Sequence, residues 1–325
     1  MMSETLSTTQ LHFITGKGGV GKSTLAASLV KKLSDRNEGP VLLIDMQGNG
    51  HALSLLGMED RTNFEIKFIR DMNHVWACRI MPKSSFRQYF SLLLSMGQHD
   101  STFAQLTSGL RGKFVDTILD NKVVSAFVDV CPGLEPAALL GKVHYECTEG
   151  LVPESDHRWK HVVVDAPSTG HCLMLFKSTQ ALIDVFGSGI VFKQAKGIMD
   201  YMTNPKLSNF YIVATPEELP LKEAQDLAKG LETLNIPAPL YTINRLKPKA
   251  ENSAPIESLE DLEWKRIVEI EVERSELESE LIHSFESDVS KDRILNYLPE
   301  VPHSQELLSQ LSEMVKLHSE SDFKR

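Results

Sequence analysis

Short, unbroken apolar runs recur along the chain. They are Leu11-His12-Phe13-Ile14, Val41-Leu42-Leu43-Ile44-Asp45, His161-Val162-Val163-Val164-Asp165, Phe210-Tyr211-Ile212-Val213-Ala214 and Leu240-Tyr241-Thr242-Ile243-Asn244. Runs this short, without polar alternation, predict strands covered on both faces, as in a parallel sheet. Helix-period stretches separate most of them, so the expected fold class is α/β, a doubly wound and mostly parallel sheet. Asp45, Asp165 and Asn244 close three of the runs. Ligands of such sheets bind outside the carboxyl ends of the strands, so these three are candidate site residues.

The pattern changes between residues 82 and 156. Ser85 to Leu94 and Phe114 to Val130 read as helices, joined by turns at Gly97, Gly109, Gly112 and Gly133. A second helical stretch covers about residues 172–207, and Ile256, Leu259, Ile267, Ile270, Leu277, Leu281 and Phe285 keep an approximate helical period. The sheet needs strands from both sides of these stretches. They therefore read as insertions into a single domain, residues 1–325, whose last part, 250–325, is acidic and mainly helical. No internal repeat is visible.

The first run leads into Thr15-Gly16-Lys17-Gly18-Gly19-Val20-Gly21-Lys22-Ser23-Thr24 and then a helix-forming stretch. Gly16, Gly21, Lys22 and Ser23 fill the G-x-x-x-x-G-K-[ST] pattern of a phosphate-binding loop. Glycines there let backbone N–H groups turn onto phosphate oxygens, and the helix start adds its partial positive charge. Lys22 is placed for the β/γ-phosphates and Ser23 for Mg²⁺. Asp165, at the end of its strand, is placed to hold the Mg²⁺ shell beside Ser23. The expected ligands are ATP and Mg²⁺.

Charge and cysteines narrow the class. Residues 250–325 hold 19 acidic and 8 basic side chains, a net of −11, so the rest carries +1 of the overall −10. An acidic region of this size repels a phosphate backbone, and no nucleic-acid partner is expected. No run approaches a membrane span, the N-terminus lacks a basic and apolar leader, and four scattered cysteines show no C-x-x-C. A cytoplasmic location is expected.

The second lysine of the loop, Lys17, makes it resemble the deviant P-loop of the MinD/ParA, nitrogenase iron protein and ArsA ATPases. That resemblance implies a homodimer in which Lys17 reaches the partner's nucleotide. Asp165-Ala166-Pro167-Ser168-Thr169-Gly170-His171 is more specific, and resembles switch II of the ArsA/Get-like ATPases, which drive arsenite pumps or target tail-anchored proteins. Val75 to Lys83, Pro132 to Ala138 and Thr215 to Ala224 are similar to other passages of that family, and the likeness spans roughly residues 11–316. It implies that Asn244 recognises adenine, and that inserted helices hold an apolar client or dock a membrane-protein partner. Phe86, Tyr89, Phe90, Leu93, Leu94 and Met96, with Met174, Phe176, Ile183, Phe186, Ile190, Met199 and Met202, would supply an apolar, Met-rich surface of the kind such binding uses.

Switch I departs from the family. Its usual Asp-Pro-Ala is replaced by Asp45-Met46-Gln47-Gly48-Asn49. Aligned on Gln47-Gly48-Asn49, Asp45 positions the attacking water; aligned on the strand end, Gln47 does, and charge favours Asp45. The irregular switch also leaves two alternatives open, a MinD/ParA-type positioning ATPase and a nucleotide-locked scaffold that does not hydrolyse. With no C-x-x-C and no cysteine after Cys172, zinc across a dimer and activation by arsenite are not expected.

Overall fold

The computed structural model describes residues 9–58, 66–80, 133–247, 262–289, 291–300 and 306–317. The expected strands form as β1 (Gln10–Gly16), β2 (Val41–Asp45), β5 (His161–Ser168), β6 (Ser208–Ala214) and β7 (Leu240–Leu246). Three more complete the sheet: β4 (Val75–Arg79), the strand that the family likeness of Val75 to Lys83 implies, β3 (Lys67–Phe68) and β8 (Ile294–Pro299). The order is β3-β4-β2-β5-β1-β6-β7-β8, parallel throughout except for the pairing of β3 with β4. This is the doubly wound α/β sheet that the apolar runs predict. β8, Ile294-Leu295-Asn296-Tyr297-Leu298 with Pro299, is a strand that was not among the runs named above.

Helices cover both faces, which is why the central strands are mostly apolar on both sides, with polar side chains such as His12, Thr15 and Thr242 buried among them. One face carries α3 (Leu134–Thr148), α4 (Thr169–Phe186), α5 (Gly189–Met202), α6 (Glu218–Glu232) and the C-terminal part of α7 (Leu262–Val289), packed on Phe13, Ile44, Val164 and Ile212. The other carries α1 (Lys22–Asp35), α2 (His51–Leu55) and α8 (Leu307–Met314), packed on Ile14, Leu43, Val163 and Val213. At about 25 cal/mol per Å², burying each such side chain contributes about 1.5–3 kcal/mol, and the alternation assigns each residue to one layer.

The stretch 172–207 resolves into most of α4 and α5. Phe176, Met199 and Met202 of that stretch are buried in the sheet-facing core, and Ile183 packs against it, so these four serve packing and not the surface expected of them. Met174 and Ile190 are exposed. The helices expected at 85–94 and 114–130, with Phe86 to Met96, lie outside the described residues. No described helix is long and apolar enough to cross a membrane.

Candidate nucleotide site

The carboxyl ends of β1, β2, β5 and β7 gather the residues of the site. β1 ends at Gly16, where φ is +150° and a Cβ would run into the carbonyl oxygen of Val213 on β6. Only glycine lets the chain leave the sheet there. The loop returns at Gly21, whose φ of +99° caps the start of α1 and whose missing side chain makes room for the Asn244 amide. Asn244 in turn donates Nδ2 to the carbonyl of Val20 at 2.8 Å. The end of β7 is thereby clamped against the P-loop backbone.

Inside the loop the Lys22 ammonium is buried and donates to the Lys17 carbonyl at 2.9 Å. Burial pulls its pKa down, while the neighbouring Asp165 carboxylate pulls it up. Ser23 Oγ donates to Asp165 Oδ2 at 2.6 Å, and Gln47 Nε2 donates to Asp165 Oδ1 at 2.6 Å and lies 3.4 Å from Ser23 Oγ. Burial pushes Asp165 up to about 6, against the Ser23 and Gln47 hydrogen bonds that favour the anion. A buried carboxylate beside a hydroxyl is a hard oxygen donor set, which fits Mg²⁺. Thr24 is half-buried in the first turn of α1.

Asp45 sits beside this group, with other partners. Its carboxylate has no exposed surface and accepts the backbone N–H groups of Gln47 and Gly48 at Oδ1, at 2.9 and 3.1 Å. Oδ2 accepts Gly50 N–H at 2.8 Å and Arg79 Nε at 3.3 Å. Its hydrogen-bond partners are thus three backbone N–H groups of the loop after β2 and one guanidinium from the end of β4. Lys17 turns the other way, pairing with Glu223 Oε1 on α6 at 2.9 Å, while Glu223 Oε2 accepts from Thr169 Oγ1 at 3.0 Å.

Of the residues picked from sequence, Lys22, Ser23, Gln47 and Asp165 come together. Asn244 joins them through the loop backbone, Gly18 and Gly19 stand at the exposed tip, and Val20 is core. Arg79, Thr169 and Glu223 were missed. Arg79 could have been found as the charge closing an apolar strand. Glu223 had no signal, since nothing in a helix sequence shows which loop it faces.

The sequence matches the CobQ/CobB/MinD/ParA nucleotide binding domain over residues 11–313. The chain belongs to that family. Within it, the chain is similar to the ATPase BagA of Mycobacterium tuberculosis, 26% identical over 245 residues, covering 75% of this chain and 67% of that protein. A putative arsenical pump-driving ATPase 2 of Aquifex aeolicus is 23% identical over 288 residues, covering 81% and 88%. ATPase GET3B of Arabidopsis thaliana is 22% identical over 304 residues, covering 82% and 71%. The chain is a P-loop ATPase of the class that holds the MinD/ParA and arsenical-pump/GET3 proteins.

Proposed function

We propose that this chain is an ATP-hydrolysing homodimeric switch of the arsenical-pump/GET3 type, working in the cytoplasm. Its nucleotide state would set the binding of an apolar client or a membrane-protein partner. The observation that carries the enzymatic part is the meeting of Ser23, Gln47 and Asp165 beside Lys22 at the carboxyl ends of the strands.

In this reading the backbone from Gly16 to Thr24 cradles the phosphates, Lys22 faces the β/γ-phosphates and Asn244 meets adenine. Ser23 and Asp165 hold Mg²⁺, which when bound neutralises phosphate charge. The water-orienting side chain is Gln47. The residue is half-exposed and its amide is held by Asp165, whereas the acceptor positions used on Asp45 serve the loop backbone and Arg79 of β4. An amide orients a water by donating and accepting one hydrogen bond each, without taking its proton.

The dimer rests on Lys17. It stands beside an exposed glycine tip, and its ammonium points away from its own Lys22 towards α6. A cation supplied to a neighbouring site stabilises the transferring phosphoryl as an arginine finger does, by about 10³–10⁵ in turnover. The test mixes two inactive variants, Lys17→Ala and Asp165→Asn. Each mixed dimer would pair one doubly damaged site with one intact site, and activity should return towards half the wild-type value per mixed dimer. No recovery, with mixed dimers shown to form, would place Lys17 in its own subunit's site.

A further inference from the structure

Lys17, which the proposed function sends across a subunit interface, is engaged within its own chain. One carboxylate makes two contacts that matter here: Glu223 pairs with Lys17 at 2.9 Å through Oε1 and accepts the Thr169 hydroxyl at 3.0 Å through Oε2. Thr169 is the first residue of α4 and follows the segment that begins at Asp165. Glu223 therefore ties the tip of the P-loop to the helix that leads away from the candidate Mg²⁺ carboxylate. The hydrogen bond from Lys17, and then the one from Thr169, hold the Glu223 carboxyl below the ordinary range.

We propose that Glu223 is a positioning residue: it parks Lys17 in its own subunit and must release it before the lysine serves a neighbouring nucleotide. This rests on the reading of Lys17 given above. The loop is built to allow the exchange. Gly18 and Gly19 have nothing within 4 Å of where a Cβ would stand, and Gly19 has φ of +83°. The tip can re-aim Lys17 without displacing packed side chains. The exchange also has a direction, because a terminal phosphate carries more charge and more acceptor oxygens than one carboxylate, so it competes for the ammonium. When that phosphate is lost, Glu223 takes Lys17 back.

The ion pair is part-exposed, with side-chain exposures of 28% for Lys17 and 33% for Glu223. Such pairs stabilise modestly, so release should shift an equilibrium about two- to fivefold per subunit. A symmetric dimer opens two of them, and the factors multiply to about four- to twenty-fivefold. Glu223→Gln keeps the shape and an acceptor for Thr169 while removing the charge. Sedimentation velocity with Mg²⁺ and adenosine β,γ-imidotriphosphate should show Glu223→Gln dimerising at a protein concentration lower than wild type by that factor. In a Lys17→Ala background the same substitution should change nothing. A second readout needs no dimer: acetylation of Lys17 by N-hydroxysuccinimidyl acetate in nucleotide-free protein, followed by mass spectrometry, should be at least about twofold faster in Glu223→Gln.

Faster Lys17 acetylation with no dimer in either protein would support the parking contact and overturn the dimeric reading. Unchanged acetylation, or wild-type dimers that Glu223→Gln does not tighten, with an unaltered melting transition, would overturn the proposal.

Discussion

Asp45 and Asp165 are direct neighbours in register on β2 and β5, and neither is exposed. They close nearly identical apolar runs, yet their surroundings divide them. Asp45 is answered by three backbone N–H groups and a guanidinium, all belonging to the fold of the loop and of β4. Asp165 is answered by two neutral side chains, a hydroxyl and an amide. A carboxylate fixed by backbone is scaffold. One held by neutral side chains, with its proton affinity raised by burial, is suited to exchange partners for a cation.

Breaking the scaffold should cost the most. Asp45→Ala would leave the Arg79 guanidinium, 12% exposed, without its carboxylate, and three loop N–H groups without an acceptor. Removing one partner of such a buried pair costs about 3–5 kcal/mol. Urea unfolding at neutral pH should show that loss. A change below about 1 kcal/mol would mean that the loop holds itself without Asp45.

Asp165→Asn should move stability the other way in metal-free protein. The folded-state pKa of about 6 lies above the ordinary 3.8, so the folded state holds its proton more tightly than the unfolded chain. Below about pH 4 both states are protonated and the site costs nothing; from about 4 to about 6 the unfolded chain gives up its proton while the folded one keeps it, so stability falls, and above about 6 the loss levels off. The amide should relieve about 1–2 kcal/mol of this near neutral pH, with the gain shrinking as pH falls from about 6 to about 4. Added Mg²⁺ and ATP should stabilise the wild type and close the gap. A metal-free Asp165→Asn protein less stable than wild type across that range would contradict the assignment.

Most of the sheet was legible because two-sided burial leaves short, largely apolar runs; Ala137-Ala138-Leu139-Leu140 is just as apolar but lies in a helix, so the flanking sequence had to decide. The phosphate loop was legible for a chemical reason, since glycines, lysine and serine at fixed spacing do one job. The difference between the two aspartates was not. Both end an apolar strand, and the sequence around Asp45 allows two alignments that hand the same role to different residues. Only the third dimension shows Arg79 reaching from the adjacent strand β4, or Glu223 on α6 facing Lys17 across 206 positions of chain. The Met-rich stretch misled in part because helical spacing of Phe176, Met199 and Met202 suits a core as well as a client surface.

Single-turnover hydrolysis of Mg²⁺-ATP by Gln47→Ala and Asp45→Asn, at saturating protein and with the folded fraction of each sample measured, tests the central division most directly. Gln47→Ala should bind ATP as the wild type does and lose about 10²-fold or more in the chemical step, the scale of losing a group that positions a reactant. Asp45→Asn should lose stability but keep turnover per folded molecule within about tenfold of wild type. The reverse ranking, a mild Gln47→Ala beside a fully folded and inactive Asp45→Asn, would return the water-positioning role to Asp45 and contradict the account.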